Sequence, residues 1–186
     1  MIQSKEDLKL YLKADRAAYG KSNRLFVKWI TCSDEYSIRA FMVVLRHYEY
    51  YLNKNRNVFD IIPYLFYWWN YRRLKNKSGL FLSPNVADAG FFPRHAGFFR
   101  AGSYVHIGKN CSVLPMVLFG KKKPGIEATI TVGENCNIGT GATILGPLTI
   151  GNNVTIGAGS VVNKDIPDNA VVAGVPARII RFVNNE

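Results

Sequence analysis

The sequence predicts a mainly β chain: a parallel β-helix of six-residue units behind a small α-helical cap at the N-terminal end. Val132, Ile138, Ile144, Ile150, Ile156 and Val162 recur at every sixth position. Gly133, Gly139, Gly151 and Gly157 directly follow four of them. Residues 1–78 lack this period and space their apolar side chains by three and four, as a helix face does. The expected division is therefore a helical cap, 1–78, and a β-helix domain with its closing segment, 79–186.

In the cap, Ser4 and Asp7 read as a capping box, Leu8, Tyr11 and Leu12 share the face behind it, and Gly20 is a stop. Ser33 or Asp34 begins a second helix, on which Ile38, Phe41, Met42, Leu45, Tyr48 and Leu52 keep helical spacing. A third runs from Asp60 to about Leu74, with Pro63 tolerated in its first turn. Its Ile62, Leu65, Phe66 and Trp69 keep a spacing that suits a buried face, so packing within the cap is the preferred reading of residues 57–77. The alternative is peripheral membrane contact, because the aromatics precede Arg72, Arg73, Lys75 and Lys77 as in an interfacial anchor.

A period of six is a short strand plus a turn, and three such units close one triangular coil around a stack of Ile and Val. The frame reaches back through Ile126, and a separate run holds Ile107, Val113 and Phe119. Between them GKKKPG, residues 120–125, breaks the count. Glycines, with Asn152 and Asn153, are expected to accommodate the backbone of the corners. Unpaired strand edges at the two coil ends need covers: the helices at one, residues 164–182 at the other.

The net charge of +11 is concentrated in residues 1–78, with 15 Lys/Arg against 7 Asp/Glu, so this half faces any anionic partner. Nucleic acid is not expected, since no helix-turn-helix, aromatic RNA-binding signature or zinc spacing accompanies the charge. Cys32, Cys111 and Cys136 form no metal or disulfide pattern. The start lacks a signal peptide's apolar stretch, and no apolar run is long enough to span a bilayer. A cytoplasmic location is expected, at most against the inner membrane face.

The segment 138–180, with IGAGSVV at 156–162 and AGVPARII at 173–180, resembles the hexapeptide-repeat acyltransferases. Those proteins are left-handed parallel β-helices that work as trimers. Over residues 80–182, the order of cap, lone histidine, loop and hexads is similar to the serine acetyltransferase branch, including its relatives in cell-surface polysaccharide gene sets. The resemblance implies acetyl-CoA as cosubstrate, no metal, a homotrimer, and an essential histidine at the position of His95. It also implies that Gly120, Thr140 and Ala158 lie along the pantetheine arm, with Lys164 and Arg178 near the phosphates.

The residues themselves allow two frames for His95. Counting by sixes from Ile107 would bury the imidazole among hydrocarbons, which is costly without a partner. A two-residue insertion near Ala101-Gly102 instead sends Phe99, Pro93 and Ala87 inward and leaves His95 on a corner facing outward; this frame is preferred. There an imidazole can take a proton from an acceptor hydroxyl and return it to the leaving thiolate. Backbone N–H groups at Ala96-Gly97 are candidates to hold the oxyanion. A structural, hydrogen-bonded histidine is the bland alternative, and the resemblance weighs against it. His47 reads as a surface or cap-packing residue, and His106 as a corner residue, with substrate contact its lesser reading.

Three departures from the branch bear on the acceptor. Phe81 stands at the position of the histidine-orienting aspartate, Arg94 at that of the aspartate before the histidine, and Lys122-Lys123-Pro124 at that of the Arg-His-Pro loop. Asp88 is a substitute orienter, or simply a turn residue. Arg94 repels an ammonium group, so the acceptor is expected to be a neutral or anionic hydroxyl compound. Lys122 and Lys123 read equally as solvated loop charges or as a substrate-side pair that attracts the phosphates of CoA or an anionic acceptor. The expected function is an acetyl-CoA-dependent O-acetyltransferase acting on a sugar of polysaccharide biosynthesis. The alternatives are L-serine O-acetylation for cysteine biosynthesis and an inactive trimeric scaffold or binding module.

Overall fold

The computed structural model describes residues 1–19, 33–55, 57–123, 125 and 129–183. Gly20, Cys32, Pro124 and Ile126 lie outside them. Helix α1 spans Lys5–Ala18, α2 Asp34–Asn53 and α3 Ile61–Ser78, the last entered through a 3-10 turn at Val58–Asp60. The capping box forms: Ser4 Oγ accepts from the Asp7 N–H at 3.0 Å, and Asp7 Oδ2 accepts from the Ser4 N–H at 2.9 Å. Helix α3 stops at Gly79, whose φ of +73° is left-handed and favours glycine. A side chain there would also strike the Gly97 carbonyl, 2.9 Å from an ideal Cβ.

The third helix faces the other way from the preferred reading. Ile62, Leu65, Phe66 and Trp69 are 52–79% exposed. Tyr64, Tyr67, Trp68, Tyr71 and Leu74 pack inward instead. Tyr48 of α2 lies 5.8 Å from Tyr64 and 5.1 Å from Tyr71, while Tyr51 and His47 stack on Tyr67. Both faces of α3 have helical periodicity; ring-on-ring contact with the tyrosines of α2 decides which is buried.

Residues 80–182 form three parallel faces of a triangular prism. The first holds β1 Leu80–Leu82, β3 Phe99–Ala101, β6 Val117–Lys121, β9 Thr143–Gly146 and β12 Val161–Val162. The second holds β4 Val105–Ile107, β7 Ile130–Val132 and β10 Leu148–Ile150. The third holds β2 Phe92–Pro93, β5 Ser112–Val113, β8 Asn137–Ile138, β11 Thr155–Ile156 and β13 Ala170–Gly174, and it ends on an antiparallel strand, β14 Ala177–Phe182. Inward rows run up each face, such as Ile107, Val132 and Ile150 on the second and Val113, Ile138 and Ile156 on the third. Helices of 14, 20 and 18 residues are at least as extensive as these short strands, so "mainly β" describes only the second half of the chain.

Phe99, Pro93 and Ala87 do point inward. The extra two residues, however, sit at the corner 94–98. Pro93 to Ala101 is eight positions, whereas the equivalent steps Val113 to Phe119 and Ile138 to Ile144 are six. Glycines and asparagines also divide the corner work differently from the expectation. Gly133 is needed because an ideal Cβ would lie 2.7 Å from the Gly151 carbonyl of the next coil. On the corner between the third and first faces Gly141 and Gly159 take the left-handed backbone, with φ of 69° and 66°, and on the corner between the second and third it falls on Asn110, Asn135, Asn153 and Asn169, with φ of 57–60°. Their side-chain amides form a ladder from coil to coil, at 3.3, 3.2 and 2.9 Å. Asn152 instead accepts from the Glu134 N–H.

Ile144 is fully buried in the first row. Ile144→Asp is expected to abolish the folded prism, since a lone carboxylate there has no partner. Loss of the cooperative thermal transition by circular dichroism checks this; a normal transition would refute the inward row.

Charged side chains cover the lower edge. Arg46 of α2 donates to the carbonyls of Ala87 at 2.7 Å and Asp88 at 2.9 Å. Glu49 and Asp15 accept from the N–H groups of Asn85 and Gly90, both at 2.7 Å, and Tyr71 donates to the Leu82 carbonyl at 2.7 Å. Backbone groups that the first coil cannot pair are thereby satisfied.

Candidate active site

His95 lies on the corner between the third and first faces, within the lengthened turn that follows β2. It is exposed, and among the described residues no side chain partners its ring. The turn is tied to the cap: the Gly97 N–H donates to the Ser78 carbonyl at 3.0 Å, and the Phe99 N–H to the Gly79 carbonyl at 3.0 Å. This satisfies a C-terminal carbonyl of α3. It also removes the Gly97 amide as a donor to an oxyanion, correcting that part of the expected turn. Around it, the Phe81 ring lies 5.9 Å from Phe98 and carries the Lys75 ammonium at 5.5 Å. The Arg94 guanidinium rests on Phe92 and donates to Ser112 Oγ at 3.4 Å.

Thr140 and Ala158 share the His95 corner, in the third and fourth coils. At ~4.8 Å per coil they stand about 10 and 14 Å above it. Thr140 Oγ1 donates to the Pro115 carbonyl of the coil between, at 2.8 Å. Arg178 pairs with Ala173 in the terminal hairpin, and Ala173 packs over Gly157 of the same corner. Gly120 lies on the first face in register with Leu145. Lys122, Lys123 and Lys164 belong to the far corner, between the first and second faces. The strands of the first face, roughly 15 Å long, separate them from His95. Lys122 Nζ reaches the Pro147 carbonyl at 3.4 Å.

Asp88 is not brought to His95. It sits on the third corner, where Tyr11 donates to its Oδ1 at 3.2 Å and His106 Nε2 lies 3.7 Å from Oδ2. Burial, reinforced by the Asp88 carboxylate, pushes the Tyr11 hydroxyl up to about 12 and keeps it a donor. His106 is mid-strand in β4, paired in register with Thr131, and not on a corner. Sequence reasoning missed Lys75 and Phe98; only the seat of α3 against the turn brings them beside Phe81. A cleft of about 560 Å³ between α1 and α2, lined in part by Leu12, Tyr19, Tyr36 and Arg39, includes no residue of the His95 corner. Cys111 and Cys136 are buried free thiols on consecutive coils, with the Cys136 N–H donating to Cys111 Sγ at 3.3 Å. Among the described residues no His, Cys, Asp or Glu group could hold a metal ion.

Residues 129–164 match the bacterial transferase hexapeptide (six repeats) family. The serine acetyltransferase of Mycobacterium tuberculosis is 37% identical over 105 residues, covering 55% of this chain and 46% of that protein. A solved serine acetyltransferase of Neisseria gonorrhoeae is 25% identical with a TM-score of 0.71, covering 98% of this chain and 70% of that one. The soybean enzyme complexed with serine is 27% identical with a TM-score of 0.69, covering 94% and 70%. The likeness is to the hexapeptide-repeat acyltransferases, on their serine acetyltransferase side. It makes the coil a left-handed parallel β-helix. The chain spans about half the length of the curated relative from M. tuberculosis.

Proposed function

We propose that this hexapeptide-repeat chain is an acetyl-CoA-dependent O-acetyltransferase in which His95 is the general base. The carrying observation is the column of His95, Thr140 and Ala158 on one corner. It supplies a groove edge for an extended thioester with an unpartnered imidazole at its foot. His95 takes the proton of the acceptor hydroxyl as that oxygen attacks the thioester carbonyl, then delivers it to the departing thiolate. Thr140, Ala158 and Arg178 line the path of the cosubstrate, whereas Gly120, near the far end of β6, lies on the side of Lys122. Lys122, Lys123 and Lys164 lie too far from His95 in their own chain, so they serve the site of a neighbouring chain in a homotrimer. The trimer also supplies the contacts that orient a ring with no side-chain partner among the described residues of its own chain.

The relatives named serine acetyltransferase favour L-serine as the acceptor over the sugar preferred from sequence. One observation keeps the saccharide reading: Arg94, Lys75, Phe81 and Phe98 make the neighbourhood cationic and aromatic, which repels an ammonium and suits stacking against a sugar ring. Thiol release from acetyl-CoA with L-serine and a panel of sugars and sugar phosphates tests both. Serine turnover matching or exceeding every sugar establishes the serine reading. If a sugar is the acceptor, wild type ignores serine, and Arg94→Asp gains serine acetylation by roughly tenfold at the expense of the native acceptor, as expected for one reversed charge at a partly solvated site. No thiol release with any acceptor would return the chain to the scaffold reading.

A further inference from the structure

Among the described residues, no element packs on the outer face of α3. That face joins Ile62, Leu65, Phe66 and Trp69 to Val58, Phe59 and Ile61 at the helix entry, and these seven side chains are 50–89% exposed. Arg72, Arg73, Asn76 and Lys77 continue the same face for the last two turns, all exposed. At 100° per residue, positions 62, 65, 66, 69, 72, 73, 76 and 77 fall within one continuous sector, and the inward tyrosines occupy the opposite one. The helix therefore has an apolar half with a large aromatic content and a cationic half on a single outward surface. No Asp or Glu lies on that surface: Asp60 is buried and bound by Lys54 at 2.7 Å.

We infer that this face docks the protein on an anionic phospholipid surface, with helix α3 lying in the headgroup plane. Trp69, Phe66, Phe59 and Ile62 enter the headgroup–acyl boundary, and Arg73, Lys77 and Arg72 meet lipid phosphates. Charge complementarity selects this occupant over a second copy of the chain. An isologous contact would bury or crowd these cations against a surface with no carboxylate to receive them, whereas an anionic leaflet supplies a phosphate for each. No helix among the described residues is long and apolar enough to cross a membrane, so the contact is peripheral. Aromatic rings partition at headgroup depth, and each cation near an anionic leaflet strengthens binding about fivefold, which makes the two halves of the face cooperate.

The experiment is co-sedimentation of the full chain with phosphatidylcholine vesicles, with and without about one third phosphatidylglycerol. Binding is expected only with the anionic lipid, at least about tenfold above the zwitterionic vesicles, and weakened by salt. Phe66→Ser with Trp69→Ser, and separately Arg73→Glu with Lys77→Glu, are each expected to lower it about tenfold or more, with the thermal midpoint unchanged because all four side chains are exposed. Sedimentation velocity without lipid provides the competing readout. Absence of wild-type binding, equal binding to both vesicle types, or an apolar variant that changes the number of associated chains while leaving vesicle binding intact would each overturn the inference.

Discussion

His95→Ala is expected to lower thiol release from acetyl-CoA by at least about a hundredfold while the far-ultraviolet circular dichroism and thermal midpoint stay at wild-type values. General-base contributions are typically 10²–10⁴, and a hydroxyl attacking a thioester has no alternative proton acceptor in this turn. The structural half of the prediction follows from the corner: the ring is exposed and bonded to no described side chain, so its removal opens no cavity and orphans no donor. A well-folded variant that retains turnover would end the assignment of His95. A variant that unfolds would show instead that the ring holds the lengthened turn in place, the bland role that a lone histidine more often plays.

Arg46→Met should destabilise the chain by about 3–5 kcal/mol, because the guanidinium is fully buried and its removal strands two carboxylates. Arg46 Nε meets Asp15 at 2.8 Å and Nη1 meets Glu49 at 3.0 Å, while the remaining donors hold the carbonyls of Ala87 and Asp88. For a chain of this length that corresponds to a fall of roughly 10 °C in the thermal midpoint. The deficit has a defined pH dependence. Burial already pushes the Glu49 carboxyl up, and the Arg46 charge is the main influence opposing it. Without Arg46 the folded-state pKa rises further above the unfolded value. A raised pKa contributes stability that is present below the unfolded pKa and lost as pH climbs through the folded one. The variant should therefore be least impaired near pH 4 and most impaired at neutral pH. Urea titrations across that range check the sign; a deficit that grows toward acid would contradict it.

The coil was legible from residues alone because a side chain every sixth position has one geometric solution, and Val132 through Val162 repeat it without interruption. The capping box of Ser4 and Asp7 and the outward turn of His95 were legible for similar local reasons: one is a backbone pattern, the other a solvation cost. Where the frame slipped, at residues 94–98, periodicity could show that an insertion was needed but not at which corner, since two extra residues disturb the count equally anywhere between Pro93 and Ile107.

Other features exist only in three dimensions. Asp88 is seven residues from His95 yet on a different corner, because the whole third face of the coil intervenes. Arg46 reads as one more charge on a helix of mixed charge, and its burial is dictated by carbonyls that belong to the first coil, some forty residues away. Either face of α3 satisfied helical spacing, and the tyrosines of α2 chose between them. The sequence by itself determined the repeat, its inward rows and the exposed histidine, all of which follow from interactions within a few residues. The tertiary structure alone decided which corner gathers the histidine, which charges seal the open edge and which face of α3 is left uncovered, because each depends on backbone groups and rings brought together from distant parts of the chain.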